Sequence, residues 1–208
     1  GGALLCALGL AVMAQGLAVP VKARVAQVLL DRAFTRSLAE GHPVRPWPWA
    51  DTMPVARLTL PRLGASDVVL SGGSGQALAF GPTVVPNRRD GGGGSGAVAD
   101  VTIVAAHRDT HFAFLRSARA GDAIDVQAIG GAHRRYRVTS FQVVRWDGFA
   151  APRNPARPLL ALVTCYPFGA TEHGPLRFVV WAEALRRGEP PRLPATALRQ
   201  REPPISAS

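Results

Sequence analysis

Residues 159–165 read LLALVTC, and after a gap of eleven residues a second apolar stretch, RFVVW, occupies residues 177–181. Each stretch has the length and aliphatic composition of a buried strand, and the segment between them contains Pro and Gly. If the two strands pair antiparallel, the last residue of the first and the first residue of the second lie at the same end of the sheet. The sequence therefore predicts that Arg177 faces Cys165 across this pair.

Similar short apolar stretches, each bounded by Gly, Pro or Asp, recur along the chain. The other predicted strands are residues 56–60, 67–70, 101–105, 123–128 and 134–144. Residues 112–118 are predicted to form a short helix before the Gly121-Asp122 turn. Six to eight short strands with turn signals between them are typical of an all-β sandwich or barrel and argue against a βαβ fold.

The N-terminal residues point to a membrane. Residues 1–19 carry no charge and are interrupted only by Gln15, and about 20 apolar residues are enough to span a bilayer. We expect a transmembrane anchor over residues 1–20; a cleaved signal peptide and a buried core helix are the alternatives. Lys22 and Arg24 favour a cytoplasmic side for the C-terminal part of the chain, although long translocated domains override that charge rule.

An amphipathic helix is predicted after the apolar run. Val21, Val25 and Val28 recur at helical spacing and are continued by Leu29 and Leu38. Gly and Pro at positions 41 and 43 end the helix, and residues 45–51 (RPWPWAD) form a proline-rich lead-in. The domain prediction is an anchor at 1–20, this helix and lead-in at 21–50, a β-rich domain at 51–187, and a disordered Pro- and Arg-rich tail at 188–208.

Composition excludes some functions. The 208 residues are 47% hydrophobic and carry a formal charge of +10, with Lys22 as the only lysine. The arginines are scattered and no basic stretch with interleaved aromatic residues occurs, so no nucleic-acid partner is expected. Residues 91–94 are four glycines, but the Lys-Ser/Thr pair and helix that a phosphate-binding loop needs are missing. No metal-ligand cluster is recognised, and no cofactor is expected.

Three residues form a candidate catalytic set: Cys165, His107 and Arg177. Cys165 is predicted to be unpaired, because Cys6, the other cysteine, lies in the N-terminal apolar run. A nearby imidazolium or guanidinium raises the thiolate fraction of a cysteine. A histidine protonates a leaving amine near neutral pH, and an arginine stabilises a developing oxyanion. A buried Cys, a surface Arg and a capping His are the structural alternatives.

The sequence resembles the sortases, whose signature joins a Thr-Cys strand end to an upstream Gly-His and a downstream Arg strand. The corresponding residues here are Thr164-Cys165, Ala106-His107 and Leu176-Arg177. The resemblance covers about residues 45–185 and is closest to the class GN sortases of Gram-negative bacteria. The motifs that resemble this class are PWPWAD at 46–51, LAFGP at 78–82, HRDTHF at 107–112 and TCYPF at 164–168.

The resemblance implies a closed β-barrel of about eight strands with short helices, and cysteine transpeptidation as the activity. Cys165 is implied to be the nucleophile, His107 the acid, Arg177 the oxyanion stabiliser, and Thr164 part of the substrate groove. The implied substrate is a secreted protein with an LPxTG-like C-terminal sorting signal, whose acyl group passes to an amine. The implied location is the inner membrane, single-pass, with the catalytic domain on the periplasmic side.

Some features depart from the family pattern or leave alternatives open. Ala106 stands where the family has Gly, TVV at 83–85 replaces a Gly-His, and the glycine-rich residues 90–96 resemble an insertion. His111 is a second candidate base, and Asp109 is predicted either to orient His107 or to cap a turn. Residues 193–197 (LPATA) resemble a sorting pentapeptide, by chance or as an autoinhibitory segment.

Two rival functions remain. An L,D-transpeptidase is disfavoured because Val163-Thr164, and not Ser-His-Gly, precede the cysteine. A membrane-tethered β-domain that binds cell-envelope partners without catalysis is the alternative from a different class.

Overall fold

A computed structural model describes residues 2–72, 75–85, 101–172, 174–186 and 189, with the backbone alone for residues 3–20. Its strands are β1 (Pro54–Leu60), β2 (Ala65–Leu70), β3 (Thr83–Val85), β4 (Val101–Ala105), β5 (Ala123–Ala128), β6 (His133–Arg145), β7 (Leu159–Tyr166) and β8 (Leu176–Ala184). The helices are α1 (Gly2–Glu40) and α2 (Gly75–Phe80), with 3₁₀ turns η1 (Pro61–Leu63) and η2 (Ala113–Ser117).

The strands close into one barrel in the order β1-β2-β3-β4-β7-β8-β6-β5. Most neighbours pair antiparallel, but β2 with β3 and β4 with β7 pair parallel. The parallel β4–β7 pair brings together two strands that are far apart in the sequence. The predicted eight-stranded barrel is therefore confirmed.

Strands β7 and β8 are buried on both faces, which explains why their sequences are continuously apolar. One face, with Leu160, Leu162 and Val180, belongs to the main core inside the barrel. The opposite face carries a second cluster, here called the outer cluster, which comprises Val101, Ile103, Ala161, Val179 and Trp181. Phe149, from the segment between β6 and β7, covers the outer cluster by stacking on Trp181 at 5.8 Å between ring centroids.

Helix α1 packs on β1 and β2 through its C-terminal half. Leu30 and Phe34 are buried against Val68 and Leu70. The guanidinium of Arg57 lies 4.8 Å above the Phe34 ring centroid and also bonds Asp31 at 2.7 Å.

The predicted apolar face of this helix was wrong for its three valines, while Leu38 of the same prediction packs against the cluster beneath the helix. Val21, Val25 and Val28 are 56%, 52% and 50% exposed, whereas the buried positions are Ala26, Leu30, Ala33, Phe34 and Ser37. The reason is geometric: the buried positions follow one helical stripe that meets the barrel, and the three valines lie off it. The helix ends as predicted at Gly41, whose N–H donates to the Ser37 carbonyl at 2.9 Å.

No helix in the described part of the chain is long and apolar enough to cross a membrane. Several other predictions lie outside the described residues: the glycine-rich segment at 90–96, the LPATA motif at 193–197, and the tail apart from Glu189. Glu189 accepts hydrogen bonds from Arg157 at 2.9 Å and from the N–H of Arg186 at 3.0 Å. The backbone bond dominates over the opposing effect of burial and lowers the pKa of Glu189.

Candidate active site

Strand pairing places Arg177 opposite Cys165. Strands β7 and β8 are antiparallel neighbours, and their register matches Thr164 with Phe178, Cys165 with Arg177, and Tyr166 with Leu176. Residues in direct register have Cβ atoms about 4.5–5.5 Å apart and project from the same face. The predicted pairing is confirmed, and both side chains lie on the face of the sheet that carries the outer cluster.

His107 reaches the same place from β4. In the parallel register Ala105 matches Val163, and the ladder continues where the N–H of Ala106 donates to the Val163 carbonyl at 3.2 Å. On the face that carries Ala105 and Val163, the next residue is His107 after β4 and Cys165 in β7. Because neighbouring strands lie about 4.8 Å apart and His107 follows the last bonded residue of the pair, His107 lies at the same edge of the sheet as Cys165, at the carboxyl ends of a parallel pair.

Thr164 joins β7 to the end of β4 from inside the barrel. It is 2% exposed, and its hydroxyl donates to the Ala106 carbonyl at 2.8 Å. Ala106 is itself buried in the main core, so the extra methyl at the family's glycine position packs against apolar neighbours. The contribution of Thr164 to a substrate groove stays a prediction, while the structure gives it a bond that joins β7 to β4.

The nucleophile candidate and the acid candidate are accessible. Cys165 is a free, partly exposed cysteine, and His107 is exposed. Within the described residues the imidazole makes no side-chain hydrogen bond, while the backbone carbonyl of His107 accepts one from the N–H of Phe112 at 3.0 Å. The backbone of His107 is thus held in a turn and its ring is free to meet a substrate.

Arg177 is anchored by half of its guanidinium. Nη1 donates to the carbonyls of Gly174 at 3.0 Å and Leu176 at 2.8 Å. Nε and Nη2 have no partner among the residues that the structure describes, so the three N–H donors of these two atoms remain for an incoming oxygen. A guanidinium that is oriented in advance is suited to stabilise a developing negative charge.

His111 and Asp109 have other partners than the candidate nucleophile. The Nδ1 atom of His111 lies 2.7 Å from Oδ1 of Asp67, and both side chains are mostly buried. This bond ties the turn after β4 to β2. Asp109 is hydrogen-bonded by Nε of Arg108 at 3.2 Å. Within the part of the chain that the structure describes, neither side chain is hydrogen-bonded to Cys165.

Arg108 is the residue that sequence reasoning missed. It is 5% exposed, and its guanidinium donates to backbone carbonyls of the segment between β7 and β8: Pro167 at 3.0 Å, Glu172 at 3.1 Å, and Ala170. The only sequence signal was its place directly after His107 in a motif already noted. A buried arginine is rare unless its donors are satisfied, and that criterion needs a structure.

Within the described residues no group of three or more His, Cys, Asp or Glu side chains is arranged to hold a metal ion. The candidate site consists of the Cys165 thiol, the His107 imidazole and the Arg177 guanidinium.

Comparison with known proteins identifies the family. A family model of the sortase domain matches residues 58–185, which is more than half of the chain. The chain belongs to the sortase family. Sortases are cysteine transpeptidases, and the three site residues all fall inside the matched range. No curated protein matches the chain.

Solved structures show the same sortase fold. Sortase A from Corynebacterium diphtheriae is similar with a TM-score of 0.52 and 21% identity, over 66% of this chain and 63% of that one. Sortase C-1 from Actinomyces oris gives 0.53 and 24%, over 64% and 73%. The pilus-related sortase C of Group B Streptococcus gives 0.50 and 21%, over 64% and 68%. At these identities the likeness establishes the fold, and the match spans less than two thirds of the first of these relatives.

Proposed function

We propose that the chain is a sortase transpeptidase that cleaves a C-terminal sorting signal through a Cys165 thioester. The observation that carries the proposal is the register of three strands. Cys165 on β7 has Arg177 directly opposite on β8 and His107 at the end of the parallel neighbour β4. Each residue taken alone has a common structural explanation. Their common position at one sheet edge is better explained by a shared chemical role.

The proposed reaction is an acyl transfer in two steps. The Cys165 thiolate attacks a backbone carbonyl carbon, typically between Thr and Gly in the family, while the free Arg177 donors stabilise the oxyanion. The tetrahedral intermediate collapses as the C–N bond breaks, and His107 gives its proton to the leaving amine. An incoming amine then loses a proton to His107, attacks the thioester and releases the thiolate.

The surface beside Cys165 suits an extended apolar peptide. Val163 lies two residues before Cys165 on the same face of β7, and Val163 and Val144 are partly buried side chains that pack against the outer cluster. Phe149 adds an aromatic wall from the segment between β6 and β7. Such an apolar surface fits the apolar residues of an LPxTG-like signal, and Thr164 supports it from the barrel-facing side of β7.

We assign the chain to class GN. Two of the motifs that resemble this class, at 46–51 and 78–82, contact each other. The ring of Trp47 packs edge-on against Phe80 with centroids 5.0 Å apart, and Gln27 of α1 donates to the Phe80 carbonyl at 2.7 Å. The two motifs thus serve one structural purpose, the seating of α1. Trp49 is 82% exposed and does not share it.

We further propose that residues 1–20 anchor the protein in the inner membrane, with the catalytic domain in the periplasm. The support is the uncharged apolar run of residues 1–19. Fractionation of cells that express the full chain tests this. Retention in the membrane fraction after a high-salt wash is expected, and release by salt would contradict an anchor, because salt screens only electrostatic attachment.

Trapping the acyl-enzyme tests the catalytic proposal. The full chain is incubated with a panel of LPxTG-like peptides, and the adduct mass on Cys165 is measured. Wild type is expected to form an adduct that an added amine discharges, and Cys165→Ala none. Arg177→Lys is expected to slow adduct formation by about 10²–10³-fold, the usual cost of losing an oxyanion donor.

Transpeptidation by Cys165→Ala at the wild-type rate would refute the mechanism. If wild type forms no adduct with any peptide yet binds cell-envelope components, the non-catalytic β-domain is the better description.

A further inference from the structure

Arg108 joins the end of β4 to the segment after the cysteine. Its side chain is buried, yet it comes from the residue directly after His107. Its acceptors are the carbonyls of Pro167, Ala170 and Glu172. Pro167 is only two residues beyond Cys165, so one side chain bridges the two candidate catalytic residues on their C-terminal sides.

A second bridge lies on their N-terminal sides. The Thr164 hydroxyl bonds the carbonyl of Ala106, and these two residues immediately precede Cys165 and His107. The two catalytic candidates therefore lie between two cross-links that join the same chain segments. The ladder of β4 and β7 ends at Ala106, and beyond that point the Arg108 bonds replace the missing sheet pairing.

Only an arginine suits this position. A guanidinium has five N–H donors in a rigid planar fork, which reaches several carbonyls at once. A lysine keeps the charge but has three donors on one atom and cannot span acceptors that lie in different directions. Nε of Arg108 donates to Asp109, whose side chain is 61% exposed. The Nη1 and Nη2 atoms therefore remain available to donate to the backbone carbonyls.

The segment that Arg108 holds also positions Arg177. Gly174 lies in the same connection, and its carbonyl accepts from Nη1 of Arg177 at 3.0 Å. Loosening the 167–172 segment would therefore disturb both the cation opposite Cys165 and the separation of His107 from the thiol.

We propose that Arg108 is a positioning residue that fixes His107, Cys165 and Arg177 relative to one another through the β7–β8 connection. The inference rests on the proposed transpeptidase function, because the three residues it arranges are those of that reaction. Arg108 itself touches no reacting atom. Its effect acts through the geometry of the site.

Steady-state kinetics of Arg108→Lys with a cleaved peptide give the first test. We expect kcat to fall by about 10²-fold, the effect of an ångström-scale misplacement of reacting groups. KM is expected to stay close to wild type, because the substitution leaves the apolar surface beside Cys165, where the peptide is proposed to bind, untouched. Arg135→Lys is the matched control, since the Arg135 side chain is half exposed and, among the described residues, donates to Asp125 at the far end of β5 and β6. Wild-type kcat in Arg108→Lys would overturn the proposal.

Alkylation of Cys165 gives a second test that needs no peptide. The rate of reaction with iodoacetamide is measured against pH for wild type, Arg108→Lys and His107→Ala. We expect the profile of Arg108→Lys to move toward that of His107→Ala. A wild-type profile with only a lower melting temperature would show a purely structural role and overturn the proposal.

The two tests separate the hypotheses. If wild type cleaves no peptide, the transpeptidase proposal fails, and the alkylation profiles still decide whether Arg108 positions the site. If Arg108→Lys is unfolded at the assay temperature, Arg108→Ala is assayed in the cold with millimolar guanidinium or methylammonium. Recovery with guanidinium alone is expected, and equal recovery or none with both cations would overturn the proposal.

Discussion

Thr164 shows how much a single enclosed hydroxyl contributes near the site. Its side chain is buried, and its hydroxyl lies 2.8 Å from the Ala106 carbonyl. Thr164→Val keeps the shape and removes the donor. We expect the free energy of unfolding to fall by about 1 kcal/mol, with a loss of activity because His107 follows Ala106.

Urea denaturation measures the change, and Thr59→Val is the control. The Thr59 hydroxyl meets Ser66 at 3.3 Å on an exposed part of the barrel, so its loss is expected to change stability by less than about 0.5 kcal/mol. Equal effects of the two substitutions would show that the Thr164 bond has no special role.

Asp122 makes stability depend on pH. Burial raises the pKa of its carboxyl, but hydrogen bonds from Arg62 and from the N–H of Arg119 outweigh burial and hold the pKa below its ordinary value. A carboxyl whose pKa is lower in the folded state stabilises the fold above its unfolded pKa, and this contribution is lost as pH falls through the folded value.

We therefore expect Asp122→Asn to be less stable than wild type at neutral pH. As pH falls below the ordinary pKa range of a carboxyl, its stability is expected to fall less steeply than that of wild type. Denaturant unfolding across this range measures both effects. Parallel curves for the two proteins would mean that Asp122 has the same pKa in the folded and unfolded states.

At the scale of elements, we expect the two faces of β7 to differ in role, one contributing to stability and the other to the proposed peptide binding. Leu162 points into the barrel core and Val163 into the outer cluster beside Cys165. Leu162→Ala is expected to lower the free energy of unfolding by about 2–5 kcal/mol without changing KM. Val163→Ala is expected to raise KM at a smaller cost in stability.

Urea melts and peptide-cleavage kinetics on the same preparations test this division. The interpretation fails if Leu162→Ala changes KM while the variant is fully folded, or if Val163→Ala leaves it unchanged.

The sequence predicted some elements well and others poorly for physical reasons. β4 and β5 have the predicted bounds, because alternating apolar residues end there at clear turn signals. β3 has three residues between prolines and was not predicted, since so short a strand has no periodicity of its own. Its pairing with β4 comes from the barrel and not from local preference.

For the whole molecule, the seating of α1 on the barrel rests on a few side chains. Phe34 is 2% exposed and packs against β2 under the Arg57 guanidinium. We expect Phe34→Ala to lower the free energy of unfolding by about 3–5 kcal/mol. Val25→Ala, on the exposed side of the same helix, is expected to change it by less than about 0.5 kcal/mol.

Thermal and denaturant unfolding of the two variants measure the difference. If Phe34→Ala leaves barrel unfolding unchanged, α1 unfolds independently of the barrel and contributes nothing to its stability.

The candidate site was predictable to the extent that its chemistry is local. Cys165 and Arg177 were predicted as a pair, because they end neighbouring strands of one short connection. The parallel register that brings His107 beside them depends on closure of the barrel, and no local pattern encodes it. Arg108 has no sequence feature that separates it from the exposed arginines, because its burial depends on where the β7–β8 connection folds.

The parallel pairing of β4 with β7 also has a consequence during synthesis. The bond between Thr164 and Ala106 spans 58 residues of chain, and such non-local contacts form late because closing a long loop costs entropy first. A chain still emerging from the ribosome has His107 but not yet β7 or β8. His107, Cys165 and Arg177 therefore come together only after translation has passed β8 and the barrel has closed.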